Sequence, residues 1–256
     1  MKKLILSFSI LSIFVFIGCK QSKAPYTIQK KVIAEKAMVV TAYPLASKIG
    51  MEIIKKGGNA ADAAIAVQFA LAVVYPYAGN LGGGGFMVMR NKDASVSTLD
   101  FREKAPARAF KDMYLDSSGN AIDSLSRFGH LSVGVPGTVD GIFKIFKKYS
   151  KLKDFKKLIE PSIKLAEDGF AVTEKQAERL NDNKITFQKH NSSDIAFVKN
   201  VDWKKGDLLV QPELANTLKR ILEKGESGFY EGETADFIVK EMNKGGGIIT
   251  HEDLKN

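Results

Sequence analysis

The sequence has 256 residues, of which 45% are hydrophobic and 26% are charged, as in an ordinary globular chain. This composition excludes a collagen-like, disordered or multi-span membrane protein, and the length is sufficient for one or two domains. The formal net charge is +9, and a single cysteine excludes an intramolecular disulfide and a multi-cysteine metal site.

The first residues indicate export. Lys2 and Lys3 precede an uncharged apolar run over residues 4–17, and the small residue Gly18 follows it. This order is typical of a secretory signal peptide, here predicted over residues 1–18. The run is shorter than the roughly 20 residues that a membrane-spanning helix needs.

Residues 16–19 also resemble the bacterial lipobox, in which a cysteine is lipidated and becomes the first mature residue. Cys19 is the only cysteine and stands at that position. We therefore expect lipidation at Cys19, a polar tether over residues 19–37, and a membrane-anchored lipoprotein on the periplasmic side of a bacterial envelope. The alternative is an ordinary cleaved signal with a cysteine nearby.

From residue 38 onward the pattern alternates between strands and helices, with glycines at the joints. A β-prone run covers residues 38–42, a helix begins near Pro44, and an N-cap at Asn59 with Asp62 begins a second, buried helix over residues 60–74. Strands are predicted over 86–89 and 96–101, with a hairpin turn at 91–94. Further helices are predicted over 139–149, 155–167, 173–180, 212–222 and 235–243.

Four consecutive glycines, residues 82–85, enter the first hairpin strand. Glycines in such a place indicate a close backbone approach or a positive φ. A phosphate-binding loop would instead join a strand to a helix and carry a lysine, so the run does not predict nucleotide binding.

Arg102 stands between Asp100 and Glu103 at the end of a predicted strand. The pattern has two interpretations: a surface ion pair, or a guanidinium held by carboxylates and directed at a substrate carboxylate. The second is chemically reasonable because the guanidinium fork binds carboxylates through two hydrogen bonds.

Thr250 and His251 could be taken for a nucleophile and its base. The favoured interpretation is a helix N-cap at Thr250 that Asp253 completes as a capping box. His130 and His190 have no partners at metal-ligand spacing, so neither a metal nor another cofactor is predicted. The sequence also lacks the G-x-S-x-G pattern of a serine nucleophile.

Seven lysines between residues 144 and 157 form the densest basic stretch. We interpret it as a solvated helix face, with contact to anionic lipid headgroups as the alternative. No nucleic-acid partner is expected, since the stretch has no interleaved arginines and the chain is predicted to be exported.

Several motifs, taken in order, resemble the large-subunit half of γ-glutamyltranspeptidases. They lie at residues 43–47, 57–64, 82–87, 100–106, 134–139, 229–232 and 246–254. The resemblance covers residues 38–256.

The resemblance implies an α+β fold, the four-layer α-β-β-α sandwich of the N-terminal-nucleophile hydrolases, incomplete in this chain. Members of that family cut their own precursor before a threonine, which then attacks γ-glutamyl amides such as glutathione. The glutamyl group passes to water or to an amino acid. By resemblance, Arg102 holds the α-carboxylate of the γ-glutamyl group.

The family's nucleophilic threonine lies C-terminal to the last matching motif, so no catalytic residue is assigned in this chain. We expect the front part of a γ-glutamyltransferase that needs a C-terminal half or small subunit as partner and would be inactive alone. The alternatives are a non-catalytic lipoprotein that binds γ-glutamyl compounds or amino acids, an inactive remnant, or a relative of cephalosporin acylases.

Overall fold

The computed structural model describes residues 31–191 and 194–256. The predicted signal peptide and Cys19 lie outside the described residues. The chain divides into two units, residues 1–36 and 37–256. Residues 31–36 of the first unit form no helix or strand.

The second unit is mostly helical. Its helices are α1 Pro44–Lys55, α2 Ala60–Val74, α3 Asp123–Arg127, α4 Thr138–Tyr149, α5 Phe155–Asp168, α6 Glu174–Asp182, α7 Lys184–His190, α8 Pro212–Lys224, α9 Ser227–Tyr230, α10 Gly232–Lys244 and α11 His251–Lys255. Its strands are β1 Phe86–Arg90, β2 Val96–Asp100, β3 Phe170–Ala171 and β4 Leu208–Leu209. The strands form two antiparallel pairs, β1 with β2 and β3 with β4.

The core surrounds α2, which packs against α1, α4 and α5, while α5 also packs against α8. Ten of the fifteen residues of α2 are buried, and Phe69 is completely inaccessible to solvent. A helix that is apolar on nearly every face is stable only when other elements cover it. The expected buried second helix is therefore confirmed.

The β1–β2 hairpin has one covered and one uncovered face. Met87 and Leu99 pack against the helical core. On the opposite face, Phe86 is 65% exposed, Val88 is 76% exposed and Val96 is 64% exposed. The hairpin thus packs against the helical core on one face, and its outer face has no cover within the described residues.

The strand predicted over residues 38–42 is not present in the structure. No strand in the described ranges pairs with this segment, and Val40 is 81% exposed. The Thr41 hydroxyl donates to the Tyr43 carbonyl oxygen at 2.7 Å. Without a neighbouring strand, β propensity alone does not form a strand.

The N-terminus of α2 is fastened to the connection between α4 and α5 by a buried carboxylate. Asp62 and Asn59 form the predicted capping box. The Asp62 carboxylate also accepts the Ser150 hydroxyl at 2.5 Å and the backbone amides of Lys151 at 3.1 Å and Leu152 at 3.2 Å. One fully buried side chain therefore joins the start of α2 to the connection between α4 and α5.

Replacing Asp62 with alanine leaves the buried Ser150 hydroxyl and two partly buried backbone amides without their acceptor. We expect Asp62→Ala to lower the free energy of unfolding by about 3 kcal/mol, measured by urea denaturation followed by circular dichroism. Asp168→Ala is the matched control because the Asp168 carboxylate is exposed and, among the described residues, its ion pair is with Lys164. It should change stability by no more than about 0.5 kcal/mol. Equal losses for the two variants would contradict the role of Asp62.

Candidate functional site

Arg102 lies immediately after β2, with its side chain 59% exposed. Its Nε donates to Glu103 Oε2 at 2.9 Å, and its guanidinium carbon lies 5.6 Å from the centre of the Phe86 ring. In the described part of the chain, no acceptor bonds its two terminal nitrogens. The guanidinium is thus held at Nε, and its two terminal nitrogens are open to solvent.

The two acids beside Arg102 have different roles. Glu103 bonds the guanidinium, and this hydrogen bond is the main reason that the pKa of the Glu103 carboxyl lies below its ordinary value. Asp100 Oδ1 instead accepts the backbone amide of Arg102 at 2.9 Å. The expectation that both carboxylates hold the guanidinium is therefore wrong for Asp100, which fixes the backbone turn after β2.

Arg102 lines a groove of about 570 Å³. The groove is bounded by residues 100–104, the turn 135–137, Asp140 and Lys144 of α4, residues 226–227 and 230–231, and residues 253–256. Both acidic and basic side chains therefore face the groove. The cation Lys144 is neutralised by Asp140 at 2.7 Å.

Glycines form the wall behind Arg102. An added Cβ on Gly84 would lie 2.5 Å from the Phe101 carbonyl oxygen and 2.7 Å from the Arg102 Cα. The corresponding atom on Gly137 would lie 2.3 Å from the same oxygen, and one on Gly141 would lie 2.3 Å from Cγ of Phe101. Three glycines thus let the backbone approach Phe101 and Arg102 closely, which confirms the expected structural role for Gly84 within the tetraglycine.

The two glycine-rich segments are also hydrogen-bonded to each other. The Gly83 carbonyl oxygen accepts the backbone amides of Gly137 at 2.8 Å and Thr138 at 3.0 Å. Asn80 Oδ1 accepts the Gly83 amide at 3.0 Å and the Thr138 hydroxyl at 2.7 Å. The first turn of α4 is therefore fixed to the run that leads into β1.

The C-terminal helix α11 lies beside the same site. Asp253 Oδ1 accepts the Ala107 amide at 2.7 Å, and Lys104 Nζ donates to the Asn256 carbonyl oxygen at 3.2 Å. Lys104 and Val135 exchange two backbone hydrogen bonds, at 3.1 and 2.8 Å. The last described residues thus form one side of the groove that contains Arg102.

Thr250 and His251 do not form a catalytic pair. Thr250 caps α11 and Asp253 completes the capping box, as predicted. His251 Nε2 instead lies 2.8 Å from Asp236 Oδ1. Thr250 is therefore a structural residue.

The other histidines also have structural neighbours. His130 Nε2 lies 3.0 Å from Glu241 Oε1, and the His190 ring stacks on Phe128 with their centres 5.1 Å apart. Over residues 31–191 and 194–256, no group of three or more His, Cys, Asp or Glu side chains is placed to hold a metal ion.

The basic stretch on α4 and α5 is interleaved with acids. Its ion pairs include Lys147 with Glu226 at 2.7 Å and Lys157 with Asp154 at 3.0 Å. Exposed pairs of this kind contribute little to stability and are typical of a solvated helix face. Among the described helices, none is both long and apolar enough to cross a bilayer.

One residue of the groove was not singled out by sequence reasoning. Tyr230 lies in the motif at 229–232, but nothing in that motif predicts its partners. Its hydroxyl bonds Pro136, which is 94 residues away in the chain. Contacts between residues so distant in sequence leave no local pattern to read.

Gly84→Ala tests the close packing behind Arg102. We expect it to lower the free energy of unfolding by about 2 kcal/mol, because the added methyl group overlaps backbone atoms. Gly82→Ala is the matched control, since a Cβ there meets nothing within 4 Å. It should change stability by no more than about 0.5 kcal/mol in the same urea titration. If the two variants unfold at the same denaturant concentration, the packing does not constrain this backbone.

Comparison with known proteins agrees with the motifs. The family model described as "Gamma-glutamyltranspeptidase" matches residues 46–256. A glutathione hydrolase proenzyme of Pseudomonas sp. (strain A14) is 50% identical over 228 residues, which cover 88% of this chain and 40% of the relative. The Escherichia coli (strain K12) glutathione hydrolase proenzyme is 45% identical over 225 residues, 87% of this chain and 39% of the relative. The chain thus spans about 40% of the length of these relatives.

Solved structures show the same fold. The γ-glutamyltranspeptidase of Helicobacter pylori matches with a TM-score of 0.85 at 48% identity, covering 88% of this chain and 65% of that chain. A cephalosporin acylase from Bacillus halodurans matches with a TM-score of 0.73 at 26% identity, covering 90% of this chain and 45% of that one. The fold is therefore the predicted α+β architecture of the N-terminal-nucleophile hydrolases, present here in part. On the family match and these identities, the chain belongs to the γ-glutamyltranspeptidase family.

Proposed function

We propose that this chain is the front, substrate-binding part of a γ-glutamyltransferase that acts on glutathione and other γ-glutamyl compounds. Family membership supports the general chemistry, and the Pseudomonas sp. and Escherichia coli relatives are glutathione hydrolase proenzymes. The main observation in support is that the terminal nitrogens of Arg102 are unbonded within the described residues and face a groove of about 570 Å³, large enough for a small ligand.

Arg102 binds the α-carboxylate of the γ-glutamyl group in this proposal. With Nε bonded to Glu103, the two terminal nitrogens donate two parallel hydrogen bonds to one carboxylate. The bond to Glu103 favours one orientation of the guanidinium, so less conformational freedom is lost when the ligand binds. Lysine could not replace Arg102 because an ammonium group has no planar fork.

The bond-breaking step belongs to the remainder of the protein. A threonine hydroxyl there attacks the γ-carbonyl carbon, the amide C–N bond breaks, and the departing amine takes up a proton. The resulting ester then reacts with water or with an amino acid's amine, which frees the threonine. In this chain, Arg102 fixes the glutamyl group so that the γ-carbonyl stays near the nucleophile.

We further propose that the remainder, or a small subunit, covers the outer face of the β1–β2 hairpin. Phe86, Val88 and Val96 are large apolar side chains that are each more than 60% exposed there. The same face also carries Arg90, Thr98 and Asp100, so it is mixed in polarity. Three large apolar side chains in contact with water on one sheet face are typical of a surface that another segment covers. A second sheet layer on this face would complete a sandwich.

A chimera tests the role of Arg102. Residues 31–256 are joined to the part of the Pseudomonas sp. relative that follows its matched region, and amine release from a γ-glutamyl anilide is measured. We expect turnover by the chimera, and we expect Arg102→Ala to lower kcat/KM about 100-fold, equivalent to about 2.7 kcal/mol. Arg127→Ala is the matched control, because Arg127 is exposed on α3 and does not line the groove. It should retain full activity.

Two results would contradict the proposal in different ways. A chimera without turnover, beside an active Pseudomonas sp. enzyme prepared in parallel, would refute the front-part role. Calorimetry of the unmodified chain with glutathione would then test the non-catalytic binding alternative. Full activity of the Arg102→Ala chimera would refute the carboxylate contact and favour an acylase-like site, consistent with the structural match to a cephalosporin acylase.

We also propose that the chain is exported and anchored through a lipid on Cys19. The lysines, the apolar run and the position of the single cysteine support this. Expressed in bacteria with a radiolabelled fatty acid, the full chain should carry label and sediment with membranes, whereas Cys19→Ala should carry none. An unlabelled parent chain would favour an ordinary cleaved signal.

A further inference from the structure

We propose that Tyr230 is a positioning residue that holds the 136–137 turn against the Arg102 backbone and thereby sets the direction of the guanidinium. This inference rests on the proposed function, because it concerns how the same arginine selects ligands that carry an α-carboxylate.

The Tyr230 hydroxyl bridges two backbone groups at the start of α4. It donates to the Pro136 carbonyl oxygen at 3.0 Å and accepts the Asp140 amide at 3.1 Å. Residues 136 and 140 are four apart, the spacing of a helical hydrogen bond. The hydroxyl therefore lies between the two groups that would otherwise form a direct helical hydrogen bond, from the Asp140 amide to the Pro136 carbonyl oxygen.

Burial keeps this hydroxyl protonated. It raises the pKa of Tyr230 to about 12, and desolvation is the largest cause. The phenol is thus a permanent donor at neutral pH and does not act as a base there. Because both sides of the hydroxyl are bonded, its contribution is geometric.

The 136–137 turn, to which the Tyr230 hydroxyl is bonded, packs tightly against the Arg102 backbone. Gly137, which follows Pro136, is so close that an added Cβ would lie 2.9 Å from the Arg102 carbonyl oxygen. Val135, which precedes Pro136, exchanges two hydrogen bonds with Lys104. The turn therefore contacts the chain at Arg102 and again two residues later, so a shift of Pro136 moves the segment that carries the guanidinium.

Removing the hydroxyl should allow a defined rearrangement. In Tyr230→Phe the Asp140 amide can donate directly to the Pro136 carbonyl, which draws the turn towards α4 and away from Arg102. The ring remains to fill its space against Phe229, whose ring centre lies 5.0 Å away. We therefore expect a protein that still folds but has a displaced guanidinium.

The test measures selectivity for the α-carboxylate. In the chimera described above, inhibition constants are determined for glutathione and for γ-aminobutyryl-cysteinyl-glycine, which lacks only that carboxylate. We expect Tyr230→Phe to weaken glutathione binding about tenfold and to leave the analogue within about twofold, so the ratio of the two constants falls. Tyr114→Phe is the matched control, since its hydroxyl also donates to a backbone carbonyl, that of Leu131 at 3.2 Å, but it does not line the groove.

A purely structural role for Tyr230 would lower the melting temperature and leave the ratio unchanged, which would overturn the inference. Should Tyr230→Phe not fold, Asp140→Pro is the second variant. It removes the amide that the hydroxyl accepts, and its ring crowds the Pro136 carbonyl four residues earlier, so the 136–137 turn shifts although the Tyr230 hydroxyl remains. Asp140→Ala controls for the lost carboxylate, and the ratio should fall only for the proline variant. If the unmodified chimera shows no preference for glutathione over the analogue, the proposed function fails instead.

Discussion

The site depends on backbone segments that meet behind Phe101 and Arg102 without intervening side chains. Gly84, Gly137 and Gly141 all approach these two residues more closely than a Cβ would allow. This packing restricts the backbone conformation at Arg102, the residue whose flexible side chain carries the guanidinium. A guanidinium on a rigid base loses less entropy on binding, so under the proposed function the glycines contribute to ligand affinity without bonding the ligand themselves.

The electrostatics of the groove follow from the same arrangement. Glu103 neutralises part of the Arg102 charge and leaves the fork open, whereas a fully paired guanidinium would have to break bonds before it could bind a ligand. The exposed hairpin face to which Phe86 belongs adds a second constraint. The Phe86 ring near Arg102 belongs to the face that we propose a further sheet covers, so that proposal and the proposed role of Arg102 together imply that assembly influences substrate binding.

Local patterns in the sequence predicted most of the helices and their caps. Asn59 with Asp62, and Thr250 with Asp253, are three residues apart, so one short window contains both partners. The failures involve partners that are distant or absent. The run at 38–42 has no neighbouring strand in the described ranges, and the short helices α3, α7 and α9 are too brief to show a period. Spacing suggested that Asp100 holds the guanidinium, but its carboxylate accepts the backbone amide of Arg102 instead.

The most direct test of the central claim is a crystal structure of the active chimera with a bound γ-glutamyl compound. Our account predicts that both terminal nitrogens of Arg102 lie within about 3 Å of the ligand's α-carboxylate oxygens, with Glu103 still bonded to Nε. A ligand whose α-carboxylate is bound by other residues, with Arg102 directed into solvent, would contradict it.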